Sequence, residues 1–210
     1  MTNVLILGAG GQVARWVSVM LAGHRDVEMT LVLRDARRLA SVPPNARVVE
    51  GDVTDPRLLE RVMAGQDVVY INLAGDVEFQ TRGIIAAMKA AEVNRVVMVN
   101  AMGIYDEVPG KFGEWNRHEI GDELIPYRKA ADRIEASRLD YTILRAAWLT
   151  DADEIDYETT EKNEPFKGTE VSRKSVASLV VEAILSPELW SDRNLGVNKP
   201  GTDGDKPSFF

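Results

Sequence analysis

Asn3-Val-Leu-Ile-Leu-Gly8-Ala-Gly10-Gly11-Gln-Val-Ala-Arg15 decides the fold. Val4 to Leu7 are consecutive apolar residues, the pattern of a strand buried on both faces. Gly8, Gly10 and Gly11 interrupt it. Val13, Val17, Met20 and Leu21 then recur at the spacing of one face of an amphipathic helix. Strand, glycine turn and helix N-terminus, in that order, make a cradle for an anion. The glycines let the backbone come close, and the unpaired N–H groups and positive dipole end of the helix face the charge.

The glycine spacing is Gly8-x-x-Gly11-x-x-Ala14. It departs from the dinucleotide fingerprint G-x-G-x-x-G because Val13 stands where the third glycine belongs. Ala14 is small enough to let the helix approach the sheet. The same motif also occurs as a strand-turn-helix without a ligand, so later segments carry the decision. As a cradle it assigns Gly8, Gly10, Gly11, Gln12 and Val13 to a pyrophosphate. Gly11→Val is expected to abolish binding and spare the sheet, its Cβ filling the place of the phosphates.

Strand and helix patterns keep alternating outward from this motif. Glu28–Leu33, Arg47–Glu50, Asp67–Asn72, Arg95–Asn100 and Asp140–Arg145 read as further strands. Arg34 to Arg38 turn into a short helix, and Ser41 to Asn45 form a loop. Asp55 suits an N-cap and Pro56 the first position of a helix carrying Leu58, Leu59, Val62 and Met63. Another helix runs from Asp76 to Glu92, its small residues suited to close packing. Ala101 to Arg117, rich in Gly, Pro and aromatics, reads as a loop, and His118 to Arg138 as a helix interrupted near Pro126. Ser172 caps a last helix, Asn194 to Val197 suggest a short final strand, and Lys199 to Pro207 look irregular.

Near-continuous apolar strands alternating with helices predict an α/β fold, a doubly wound parallel sheet covered on both faces. Its ligand crevice lies at the carboxyl ends of the strands. Arg34, Asp52, Val53, Leu73, Ala74, Gly75, Asn100 and Ala101 follow those ends and join the glycine turn as cofactor-binding candidates. Arg34 is the informative one. An acidic residue about 20 positions beyond the turn would accept the ribose hydroxyls of NAD, whereas an arginine there suits the 2′-phosphate of NADP. NADP is therefore the expected cofactor. Arg37 and Arg38 add charge nearby, either as part of that site or as a solvated turn.

The 33 acidic residues against 25 Lys plus Arg give a net charge of −8, which disfavours a nucleic-acid partner. The absence of cysteine removes disulfides and thiolate metal sites. No apolar run approaches a membrane span and no leader pattern is visible, so a cytoplasmic protein acting on a small molecule is expected. Oligomeric state has no signal here. The chain, 1–210, is expected to be one Rossmann-type unit whose small substrate lobe is built mainly from 101–117 and 148–210.

Gly8-x-x-Gly11-x-x-Ala14, Gly51-Asp52-Val53-Thr54-Asp55, Asp140-Tyr-Thr-Ile-Leu-Arg145 and Val171-Ser172-Arg173 with Val176-Ala177 resemble the atypical short-chain dehydrogenase/reductases, in particular the NmrA-like and NAD(P)H-binding group. The resemblance covers about Asn3 to Pro200. It implies that Asp52 contacts the adenine and that Leu73 to Gly75 line the nucleotide groove. Three departures stand out. Tyr127 is followed four positions on by Ala131, and Ile125 stands four before Lys129, so the family's Tyr-x-x-x-Lys acid is absent. Asn100-Ala101 replace the serine after strand five, and Ala146 replaces the proline after Arg145.

These features lead to an NADP(H)-dependent oxidoreductase reducing a small acceptor of the quinone, flavin, dye or carbonyl class, with Tyr105, Tyr127 and Lys129 as catalytic candidates. The alternative is a non-catalytic NADP(H) sensor working through a partner protein. Tyr105, Trp115, Tyr127 and Trp148 either wall the substrate or cover the lobe's core. No metal is expected, because the acidic run Asp151 to Glu161 lacks ligand spacing and reads as a solvated lid. His24 and His118 read as helix-end residues.

Overall fold

The apolar run before the first glycine is strand β1 (Thr2–Leu7) in the computed structural model, which describes residues 1–210. Val4 and Ile6 enter one hydrophobic cluster and Leu5 and Leu7 a second, because successive side chains of a strand face opposite ways. The chain continues through α1 (Gln12–Leu21), β2 (Val27–Leu33), a 3-10 turn at Ala36–Arg38, β3 (Ala46–Glu50), α2 (Pro56–Met63), β4 (Val68–Ile71), α3 (Val77–Ala90) and β5 (Arg95–Ala101). It then forms α4 (Gly110–Glu135), β6 (Asp140–Ala146), β7 (Trp148–Thr150), β8 (Glu158–Thr160), β9 (Glu170–Ser172), α5 (Arg173–Leu185), α6 (Pro187–Trp190) and β10 (Arg193–Asn198).

The eight-stranded sheet has the order β3-β2-β1-β4-β5-β6-β10-β8, parallel throughout except for β8. The order turns back between β1 and β4, which is where a doubly wound sheet opens its crevice. Helices α1 and α5 supply buried residues to the first cluster, and α2, α3 and the C-terminal half of α4 to the second. The caps behave as their chemistry demands. Asp55 and Asp76 accept from the N–H of Arg57 and Phe79, and Ser172 from that of Ser175. No helix is long and apolar enough to cross a membrane.

Three expectations are corrected. Residues 110–117 are not loop: α4 runs unbroken from Gly110 through Pro126 to Glu135. Phe112 and Asn116 are buried, and Gly113 fits because a Cβ there would strike the Val108 carbonyl. Tertiary packing thus outweighs the poor helix propensity of this stretch. Next, the acidic segment is solvated as expected but is not a free lid. Part of it is β8, antiparallel to β10, and its carboxylates meet partners: Asp151 with Arg173, Asp153 with Lys174, Glu154 with Lys199 and Glu161 with Arg193. Last, much of 148–210 belongs to the main layers, since β8 and β10 extend the sheet and α5 covers it. Only β7 and β9 form a separate two-stranded sheet.

Candidate dinucleotide cleft

A cleft of about 910 Å³ lies over the carboxyl ends of the strands. Its middle is the glycine turn. Gly8, at φ +86°, packs so closely on the Asn72 carbonyl that no other residue fits. A Cβ on Gly11 would run into the Asn72 side-chain amide nitrogen. Any larger residue at 11 must therefore displace the Asn72 amide, apart from the room a pyrophosphate would need. Gly11 N–H closes the turn on the Gly8 carbonyl at 2.9 Å. No side chain caps α1, which leaves its first-turn N–H groups for a ligand.

At the β2–β3 end Arg34, Arg38, Asp52 and Val53 line the wall. Arg37 does not: it pairs with Asp35 at 2.9 and 3.0 Å and is turned to solvent. Asp52 accepts from the backbone N–H and the hydroxyl of Thr54 at 2.9 and 2.8 Å. Those bonds, the backbone one first, hold its carboxyl below the usual range, with Arg34 adding to the effect. Leu73 and Ala74 line the wall; Gly75 and Gln12 do not. Gln80 donates to the Ala74 carbonyl at 3.3 Å, so its Oε1 is buried in the wall without a partner.

The β5–β6 end is apolar and aromatic. Asn100, Ala101, Met102, Ile120, Tyr127 and Trp148 form it, closed by Phe209 and Phe210 with Arg173 alongside. Asn100 turns its amide to the Tyr127 carbonyl at 3.1 Å and to its neighbour's N–H. Trp148 donates to Asn116 Oδ1 at 2.9 Å, and the Phe210 ring meets Trp115 and Trp148 at 5.1 and 5.0 Å between centroids. Burial pushes the Tyr127 phenol up, with Glu123 adding to it.

The three catalytic candidates are not brought together. Of them only Tyr127 lines the cleft. Lys129 is exposed on α4, close enough to Glu78 to help lower that carboxyl. Tyr105 packs against the second cluster, accepts from Asn194 at 2.9 Å, and has Arg128 and Lys162 over its ring at 4.5 and 4.4 Å. Neither touches the cleft wall. Sequence reading missed Asn72, Gln80, Arg173 and Phe209-Phe210 as wall residues. Asn72 and Arg173 had a signal, one ending a predicted strand and one following a cap. The two phenylalanines had none, because they arrive from a distant segment.

Residues 8–187 match the family model described as NAD(P)H-binding. The chain belongs to the NAD(P)H-binding family. A Rossmann-fold NAD(P)-binding family protein from Shigella flexneri is 50% identical over the whole of both chains, with a TM-score of 0.87. A short-chain dehydrogenase/reductase (wide type) from Veillonella parvula DSM 2008, in complex with NADP, is 27% identical over 99% of each chain, with a TM-score of 0.90. ChuY, an anaerobillin reductase from Escherichia coli O157:H7, shares the fold at 20% identity, a TM-score of 0.84, and coverage of 97% of this chain and 100% of that one. The cleft of this NAD(P)H-binding protein suits such a cofactor on its own evidence. Its glycine turn leaves helix N–H groups free at the N-terminus of α1.

Proposed function

We propose that the protein is an NADP(H)-dependent oxidoreductase that reduces a small, flat organic acceptor of the quinone, flavin, dye or carbonyl class. The observation that carries this reading is the asymmetry of one cleft: two arginines at the adenosine end, an aromatic wall at the other. Arg34 and Arg38 would hold a 2′-phosphate, since guanidinium groups pair with phosphate oxygens through several N–H donors. The N–H groups after Gly11 would hold the pyrophosphate, and Asp52 the adenine. When bound, the reduced dinucleotide supplies a hydride.

The chain's own part at the other end is to place the acceptor and keep water away. Trp148 and Phe210 offer ring faces for stacking, and Met102 and Ile120 apolar cover. Tyr127 keeps its proton, because burial pushes the phenol up and no lysine lines the wall to bring it down. It is a hydrogen-bond donor rather than a strong acid. Acceptors that need little protonation fit this arrangement better than simple ketones.

One observation favours a second reading, a non-catalytic NADP(H) sensor: no paired acid and base face the nicotinamide end. Turnover decides between them. NADPH oxidation should be measured against quinones, flavins, dyes and aliphatic carbonyls. The enzyme reading expects reduction of flat acceptors and little of simple ketones. Tight NADPH binding with no turnover of any of them supports the sensor.

A further inference from the structure

Tyr70 lies in β4 with 0% exposure, within the first hydrophobic cluster, yet its hydroxyl needs a partner. It donates to Asn72 Oδ1 at 3.1 Å, two residues on and so on the same side of the strand. Burial pushes the phenol's pKa far up, so the hydroxyl remains a donor. A carboxamide has one accepting end and one donating end. With Oδ1 committed to the phenol, Nδ2 is turned the other way. The reverse orientation would leave the phenolic proton without an acceptor in the core. Nδ2 is left without a protein partner, packed against Gly11, and Asn72 lines the cleft. Gly11 is the residue after which the uncapped N–H groups of α1 begin.

We propose that Asn72 binds the cofactor's pyrophosphate, its Nδ2 adding a side-chain donor to the backbone cradle, and that Tyr70 positions the amide to donate. The inference rests on the NADP(H) reading of the cleft. Neither residue belongs to the glycine fingerprint. A tyrosine in the core of β4 and an asparagine at its end thus act as one unit.

Asn72→Asp is nearly isosteric, keeps an acceptor for Tyr70, and places a negative oxygen where Nδ2 stands. Tyr70→Phe keeps the buried ring and frees the amide to turn. Dissociation constants are measured by calorimetry for NADPH and for adenosine 2′-monophosphate, which lacks the pyrophosphate. Asn72→Asp should weaken NADPH about a hundredfold, since a charge-assisted bond becomes repulsion. Tyr70→Phe should weaken it roughly three- to tenfold. Adenosine 2′-monophosphate should stay within about twofold in both variants. Equal losses for both ligands would mean that the pair only shapes the glycine turn, and unchanged NADPH affinity would mean that it does nothing; either overturns the proposal. If the native protein binds NADH but not adenosine 2′-monophosphate, the NADP reading fails instead. NADH against adenosine then reads the same two variants.

Discussion

The Arg37 side chain is 91% exposed and held by Asp35, whereas Arg38, the next residue, lines the cleft. Spacing alone puts both within one turn of Arg34 and cannot separate them. The separation comes from Asp35, which caps the 3-10 turn through the N–H of Arg37 and draws the guanidinium of the same residue to itself. Arg37→Ala should therefore leave NADPH affinity within about twofold, and Arg38→Ala should weaken it roughly three- to tenfold, as a solvent-screened contact to a phosphate would. Fluorescence titration of both variants checks the order, and a larger loss at Arg37 would contradict it. Gly11 carries a second prediction. Gly11→Ala should lower both the melting temperature and NADPH affinity, because the new methyl displaces the Asn72 amide. Adding Asn72→Ala removes the clash but also Tyr70's acceptor, so the double variant should lose less melting temperature than the two single losses summed, and should not regain affinity. Independent, additive effects of the two changes would show that they do not meet.

Among the elements, those that announce themselves locally were legible: the β1–glycine–α1 unit, the Asp55-Pro56 start of α2, and the Ser172 cap of α5. The elements that were not legible owe their form to distant partners. The start of α4 has glycines at 110 and 113 and no capping side chain, and it is helical because its aromatic face is buried. The carboxylates of 151–161 are largely exposed, as expected, but their pairing was not legible because their cations lie 21 to 45 positions away. The loop after β5 is likewise set from afar. Arg145 in β6 pairs with Glu107, and Glu107 accepts from the N–H groups of Gly103 and Tyr105 at 3.1 and 2.9 Å. Both charged side chains are almost wholly buried, at 0% and 4% exposure. Arg145 thereby anchors the Gly103–Tyr105 turn through Glu107, which gives an arginine inside a parallel strand its role. Removing one partner strands the other charge, so Glu107→Ala should cost about 3–5 kcal/mol. Urea denaturation measures it, and a loss below about 1 kcal/mol would show that the loop stands without the pair.

For the molecule as a whole, the cleft presents few groups that change charge near neutrality. Its titratable wall is Arg34, Arg38, Asp52, Tyr127 and Arg173, and neither histidine lines it. Asp52 is held below the ordinary carboxylate range and so stays ionised above it; Tyr127 is pushed above the ordinary phenol range and so stays protonated below it. Hydride transfer from bound NADPH should then be independent of pH between about 7 and 9. A rate that falls with an apparent pKa inside that window would reveal a lowered phenol or another acid. The molecule also carries a net charge of −8 and has to bind an anionic cofactor. Its overall field opposes the ligand, so attraction must come from the arginines and N–H groups at the cleft. Arg34 lines the cleft beside Asp52, and in the proposed NADP(H) reading it is the group on which cofactor choice depends. A charge-assisted hydrogen bond is worth about 1.5–3 kcal/mol, which corresponds to a preference of about one to two orders of magnitude for NADPH over NADH. Arg34→Asp should reverse that preference, repelling the 2′-phosphate and offering the 2′-hydroxyl an acceptor. The decisive measurement is the pair of dissociation constants, for NADPH and NADH, in the native protein and in Arg34→Asp. The account predicts tighter NADPH binding in the first and tighter NADH binding in the second; equal affinities in the native protein would contradict it.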